Sequence, residues 1–161
     1  EQFEDGVRWQ FGDDWDLVGM SIHRFLEAMP LAIRTARGIQ CTHSLPDSVL
    51  MNRFDPTILD RSLEGPDRRG PDGAAYLLTW GRRFSDEQTT ALADAWGVSH
   101  LIIGHVRIEG GIERMGDNVI ALASDHDGGA ALPVDLAAIP DTAALMDAAF
   151  PLQLLPIIGE G

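Results

Sequence analysis

The sequence predicts an α/β fold of the α+β kind, in which short apolar strands stand among amphipathic helices. The clearest strand is the apolar run at residues 101–103, which ends abruptly in a Gly-His pair. A short apolar run bounded by glycine and polar residues is typical of a buried strand. The clearest helix begins after Ser85, because Ser85 and Gln88 match a capping box and Gly97 ends the segment. The chain is therefore expected to combine strands and helices in its fold.

The length and composition are those of one soluble globular domain. The 161 residues are 45% hydrophobic and 23% charged, which allows a sizeable core. The formal net charge of -13 argues against a nucleic-acid partner, because a nucleic-acid-binding surface needs a basic patch. No apolar run approaches ~20 residues, so we expect no membrane partner. The single cysteine, Cys41, provides no disulfide framework, and we expect a cytoplasmic location.

The first quarter of the chain predicts a helix followed by a hairpin. Apolar residues recur with helical spacing from Val18 to Met29, and Pro30 stops the pattern. Residues 1–14 show no clear periodicity. Two strand-like runs, at 31–36 and 38–42, predict the hairpin.

The remaining elements are predicted from apolar runs and turn signals. Residues 74–104 predict a strand–helix–strand unit, which implies parallel neighbouring strands. A long polar loop precedes this unit, and such loops are often functional. The other predicted elements are strands at 118–123 and 130–136, a helix at 141–150, and a Pro-punctuated apolar tail at 137–161 that packs on the domain or on a partner.

Two predicted strands end in a histidine. His43 follows the strand at 38–42, and His105 follows the strand at 98–104. Imidazole is the commonest metal ligand in proteins, and the ends of strands can converge. The two side chains are therefore either metal ligands or acid–base groups, or core histidines that are satisfied by backbone carbonyls.

Arg82 and Arg83 follow the run at 74–80 and stand just before a predicted helix. Guanidinium groups near a helix N-terminus suit an oxyanion such as phosphate. Both arginines are therefore candidate substrate-binding residues. The alternative is surface salt bridging, which a very acidic protein favours.

The order of these segments resembles calcineurin-like metallophosphoesterases, and most closely their serine/threonine phosphoprotein phosphatase branch. The resemblance covers roughly residues 20 to 136, and it depends on the order and spacing of short motifs. These motifs are Phe25-Leu26-Glu27-Ala28-Met29-Pro30-Leu31-Ala32, Gly38-Ile39-Gln40-Cys41-Thr42-His43-Ser44-Leu45-Pro46, Trp80-Gly81-Arg82, Ile102-Ile103-Gly104-His105 and the turn Ser124-Asp125-His126-Asp127-Gly128-Gly129.

The resemblance implies a four-layered α/β/β/α sandwich that hydrolyses phosphomonoesters at two divalent metal ions, which would be Mn, Fe or Zn. His43 and His105 would each bind metal. Arg82 would be the catalytic residue that holds the phosphate. The phosphorylated substrate remains open among phosphoproteins, nucleotides and small phosphomonoesters.

The same resemblance implies which other residues line the substrate pocket. Asp125 or His126 would lie there, together with the arginine pair. Some family members carry an acidic residue at the position of Arg83, so the resemblance does not assign Arg83 the family's role.

The family's first half is missing from this sequence. Its Asp-x-His and Gly-Asn-His-Glu motifs do not occur, and Gly12-Asp13-Asp14-Trp15-Asp16 matches Gly-Asp-x-x-Asp only superficially. We therefore interpret residues 1–161 as a single-domain fragment, the C-terminal half of a metallophosphoesterase domain whose partner is the missing N-terminal half. Alone, the chain is expected to hydrolyse little.

Two other interpretations remain open. The chain could be a non-catalytic binding or interaction module derived from the same fold, with the apolar tail as its docking surface. It could also be a small α/β domain in which His43 and His105 are merely structural.

Overall fold

The computed structural model describes residues 2–154, and the chain divides into two compact units, Glu1–Pro30 and Leu31–Gly161. The single-domain interpretation therefore stays a prediction. Among residues 2–154, every helix is too short or too polar to cross a membrane.

The unit Glu1–Pro30 consists of α1 (Gln2–Phe11), a 3-10 turn and α2 (Trp15–Ala28). The predicted helix is confirmed as α2, which ends before Pro30 as its missing N–H requires. The sequence analysis missed α1. Its signal is the i, i+4, i+8 spacing of Phe3, Val7 and Phe11, which is short for a helix.

The larger unit contains a five-stranded mixed sheet. In chain order its strands are β1 (Ala32–Arg34), β2 (Ile39–Thr42), β3 (His100–Ile103), β4 (Ile112–Arg114) and β5 (Val119–Leu122). Their spatial order is β1-β2-β3-β5-β4. The central strands β2, β3 and β5 are parallel, and both edge strands are antiparallel to their neighbours. The predicted hairpin is confirmed as β1 and β2.

The register of β2 and β3 matters most for the site. Thr42 is paired with Ile103, so the two parallel strands end side by side. The chain segments that follow them must therefore leave the sheet at the same edge.

Two helices cover one face of this sheet: α3 (Ala74–Trp80) and α4 (Asp86–Trp96). Leu101 and Ile103 of β3 belong to one buried cluster with side chains from both helices. The ends of α4 agree with the prediction: the Ser85 hydroxyl accepts a hydrogen bond from the Gln88 backbone N–H, and Gly97 ends the helix at φ +63°. Three 3-10 helices lie in the long loop before α3, at Ser48–Arg53, Pro56–Asp60 and Pro66–Arg68.

The prediction of a strand at 74–80 is wrong, because these residues form α3. Ala74, Leu77 and Leu78 are its buried residues, and their i, i+3, i+4 spacing is that of a helix face. The predicted strand–helix–strand unit is consequently wrong as well. The parallel neighbours of β3 are β2 and β5.

The last part of the chain forms a small second sheet and a helix. The sheet pairs β6 (Ala130–Ala131) with β7 (Phe150–Pro151), so the strand predicted at 130–136 is only two residues long. The predicted helix is confirmed as α5 (Thr142–Ala148), which the carboxylate of Asp141 caps. Residues 155–161 of the predicted apolar tail lie outside the described residues. The α/β class is confirmed by the mixed sheet and its helices.

Candidate functional site

The ends of β2 and β3 bring His43 and His105 together. Their rings are 4.8 Å apart between centroids, and Nε2 of His43 lies 3.0 Å from Nδ1 of His105. The backbone joins them too, since the Gly104 N–H donates to the His43 carbonyl at 3.1 Å. The adjacency follows from the parallel pairing of β2 with β3.

A tight turn directs the His105 side chain into this position. His105 has φ +64°, and the Val106 N–H donates to the Gly104 carbonyl at 2.7 Å across it. A three-residue turn with positive φ at its centre is strained in a residue other than glycine, at a cost of about 1–2 kcal/mol. Such strain is found mostly at functional sites.

Arg82 is the third member of the cluster, and its Nε donates to Nε2 of His105 at 3.2 Å. A guanidinium can only donate, so Nε2 of a neutral His105 must carry the lone pair. The ring proton is then on Nδ1, from which it donates to Nε2 of His43. Burial, followed by the nearby His43 and Arg82, lowers the pKa of His105, which favours this neutral form.

Arg82 is positioned by close packing between the segment after β2 and the end of α3. The Ser44 hydroxyl donates to the Gly81 carbonyl at 2.5 Å, and the Ser44 N–H donates to the Leu78 carbonyl at 2.8 Å. A Cβ on Gly81 would overlap the carbonyl oxygen of Leu45. Glycine is therefore required at the position just before Arg82.

A cavity of about 640 Å³ opens beside the two histidines. Asp125 and His126 also line this cavity, and Nε2 of His126 donates to the Glu109 carbonyl at 3.2 Å. Arg107 also lines this cavity, and the sequence analysis missed it. Its only signal in the sequence is its place two residues after His105.

Arg83 makes a different contact. Its Nε donates to the carboxylate of Asp47 at 3.1 Å, and its side chain is 73% exposed. The structure therefore brings Arg82, but not Arg83, to the histidine pair. For Arg83 the surface ion pair is the contact observed.

The spacing of the histidine pair is that of the hydrogen bond described above, and it also lies at the short end of the range for two ligands of one cation. Two nitrogens that each lie ~2.1 Å from a metal ion, at angles of roughly 90–110°, are about 3.0–3.4 Å apart, and the observed separation is 3.0 Å. Both nitrogens would have to be unprotonated, so the His105 proton would move to Nε2. That nitrogen could then no longer accept from Arg82, and the guanidinium would be released.

Within residues 2–154, no group of three or more His, Cys, Asp or Glu side chains could hold a metal ion. Two imidazoles are half of a tetrahedral donor set, and a catalytic site has at least three protein ligands. The residues present thus fit part of a metal site.

A scan of the sequence against protein-family models and a search of curated proteins each found no match.

Proposed function

We propose that this chain is the C-terminal half of a metal-dependent phosphomonoester hydrolase. The observation that carries the proposal is the cluster of His43, His105 and Arg82. Both histidines line an open cavity, and the guanidinium of Arg82 contacts His105. Cation ligands beside a phosphate-binding group are the combination that phosphoryl chemistry requires.

Each side chain has a distinct part in this proposal. His43 and His105 hold the cation, and their partners in the missing half complete its ligands. When bound, divalent cations of this kind polarise a phosphoryl oxygen and neutralise developing charge. The neutral state of His105 at physiological pH favours binding, because only an unprotonated nitrogen can be a ligand.

Arg82 orients the phosphate. Without a cation its Nε–H donates to His105, and its two terminal NH2 groups make no hydrogen bond to any residue within 2–154. Cation binding by His105 would free the Nε–H as well. A planar guanidinium with free donors binds two phosphate oxygens at once. Arg107 adds positive charge to the wall of the cavity, which Asp125 and His126 also line.

The test uses the polypeptide at its native length. We expect an intact mass above 17.5 kDa and Mn²⁺-dependent hydrolysis of p-nitrophenyl phosphate that EDTA abolishes. Arg82→Ala should lower kcat/KM by roughly 100-fold, as the loss of one transition-state donor does. Arg83→Ala is the matched control and should change kcat/KM little, since Arg83 is paired with Asp47. Equal activity of Arg82→Ala and the wild type would contradict the proposal.

A second candidate is a non-catalytic binding module derived from the same fold. The observation that favours it is the incomplete donor set within residues 2–154. A native mass near 17.5 kDa with no metal-dependent turnover would support this alternative. Strong Mn²⁺-dependent turnover by the 161-residue chain alone would contradict both the module and the half-site. For either function we propose a cytoplasmic location, on the basis of the lone, half-buried thiol of Cys41.

A further inference from the structure

Two aromatic side chains stand on the exposed face of α3, one turn apart, and lead away from the histidine pair. Trp80 and Tyr76 are 55% and 41% exposed, and their ring centroids are 6.2 Å apart with an interplanar angle of 34°. Trp80 also meets His105 edge to face, at 5.6 Å between centroids. The three rings therefore form a continuous row that begins at the candidate site.

The row is not required for the core of the unit. The buried residues of α3 are Ala74, Leu77 and Leu78, which face the sheet. Large aromatic side chains bury up to about 150–250 Å² each when they are covered, so leaving two of them exposed forfeits considerable hydrophobic stabilisation. Their exposed faces are therefore available to a ligand.

A groove of about 420 Å³ runs along the two rings. The opposite wall is formed by Arg68 and by the turn that contains Gly70 and Pro71. Arg68 is half-buried and makes no salt bridge to any residue between 2 and 154. A groove with aromatic rings on one wall and a guanidinium on the other suits a planar ring, because both walls can stack on its faces.

We propose that Tyr76 and Trp80 form a subsite for a planar aromatic leaving group, so that the preferred substrates are phosphomonoesters of ring-bearing alcohols or phenols. The inference rests on the proposed function, because it takes Arg82 as the phosphate-binding group. A ring joined to that phosphate through the ester oxygen lies beside His105 and reaches Trp80. A fused or extended ring also reaches Tyr76. The long loop predicted to be functional supplies Arg68 and the opposite wall.

The probes are 2-naphthyl phosphate, its saturated analogue decahydronaphth-2-yl phosphate, and inorganic phosphate. Isothermal titration calorimetry measures all three on the native-length polypeptide, which is kept metal-free with EDTA so that no ester is hydrolysed. The saturated analogue is similar in size and at least as apolar, so a merely hydrophobic groove would bind it equally well or more tightly. Stacking predicts that 2-naphthyl phosphate binds about fivefold more tightly than the analogue.

Variants of the two rings test the assignment. For each variant we take the ratio of its affinity for 2-naphthyl phosphate to its affinity for the saturated analogue. A general change in phosphate binding affects both affinities equally and cancels in this ratio. Tyr76→Leu and Trp80→Leu keep apolar bulk and should each reduce the ratio, and the double variant should bring it to about one. Trp80→Phe and Tyr76→Phe keep a ring and should retain most of the preference.

The outcomes separate this inference from the proposed function. If inorganic phosphate binds through Arg82 but the ratio in the wild type is one or less, the subsite is wrong and the proposed function stands. A preference that survives in the Tyr76→Leu/Trp80→Leu double variant would also overturn the subsite. If none of the three probes binds, or if Arg82→Ala binds inorganic phosphate as the wild type does, the phosphate site fails and the subsite fails with it.

Discussion

Nε2 of His43 and Nδ1 of His105 lie 3.0 Å apart, although 61 residues separate the two histidines in the chain. Parallel pairing of Thr42 with Ile103 makes this possible, because both strands end at the same edge of the sheet. Arg82 extends the pair through Nε2 of His105. The result is a polar row at a sheet edge, where a rigid scaffold holds each side chain.

The positive φ of His105 gives a prediction about stability. His105→Gly and His105→Ala remove the same side-chain contacts, but only glycine adopts φ +64° without strain. We therefore expect the glycine variant to be more stable than the alanine variant by about 1 kcal/mol in urea unfolding. The control is Ala32, in β1, where alanine should be more stable than glycine. Ala32→Gly should cost about 0.5–1 kcal/mol. Equal stability of the two His105 variants would contradict the strained turn.

The packing of Gly81 on Leu45 predicts that this position tolerates no side chain. Gly81→Ala places a Cβ into the Leu45 carbonyl and should destabilise the chain by about 3 kcal/mol, a cost typical of overpacking. Because Arg82 follows directly, inorganic phosphate binding should weaken too. Gly110→Ala is the control: nothing lies within 4 Å of its Cβ position and its φ is outside the left-handed region, so it should be neutral or slightly stabilising. Urea unfolding of both variants measures the difference.

His100 predicts how stability depends on pH. Burial lowers the pKa of His100 in the folded state, against a smaller opposite effect of Asp141. Well above pH 6.5 the His100 side chain is neutral in both the folded and the unfolded state. As the pH falls through about 6.5, His100 takes up a proton first in the unfolded state. Stability is therefore progressively lost as the pH falls toward the folded-state pKa of His100.

The measurement is the free energy of unfolding at pH 7.5 and pH 5.5 for the wild type and for His100→Gln. The variant removes this one titration and leaves the other groups unchanged, so it should lose less stability on acidification than the wild type. A wild type and variant with the same pH dependence would contradict the shifted pKa of His100.

The helices and strands were predictable to different degrees. The capping box of Ser85 and Gln88, together with the glycine at position 97, predicted α4 from local chemistry alone, and the structure confirms the helix. The segment at 74–80 was misassigned because seven mostly apolar residues fit a buried strand as well as a short helix. The segment is helical because one face of it packs on the sheet. This packing is a tertiary interaction that cannot be predicted from the local sequence.

The site was predictable where strand ends determined it. His43 and His105 were identifiable as strand-end residues, but their contact depends on which strands pair. Local chemistry did not separate Arg82 from Arg83, since both precede α4, and only the resemblance made Arg82 the catalytic residue. In the structure, the packing of Gly81 on Leu45 positions Arg82, whereas Arg83 is paired with Asp47. Both contacts join segments more than 30 residues apart, so local sequence does not predict them.

The measurement that tests the histidine pair most directly is long-range ¹H–¹⁵N NMR of the imidazole nitrogens during a Zn²⁺ titration of the chain. Without metal we expect the proton of His105 on Nδ1, because Arg82 donates to Nε2. With Zn²⁺, Nε2 of His43 and Nδ1 of His105 should shift together, saturating at one equivalent, and the His105 proton should appear on Nε2. The buried His100, at the start of β3, is the internal control and should be unchanged. Independent shifts of the two rings, or none at saturating Zn²⁺, would contradict a shared cation.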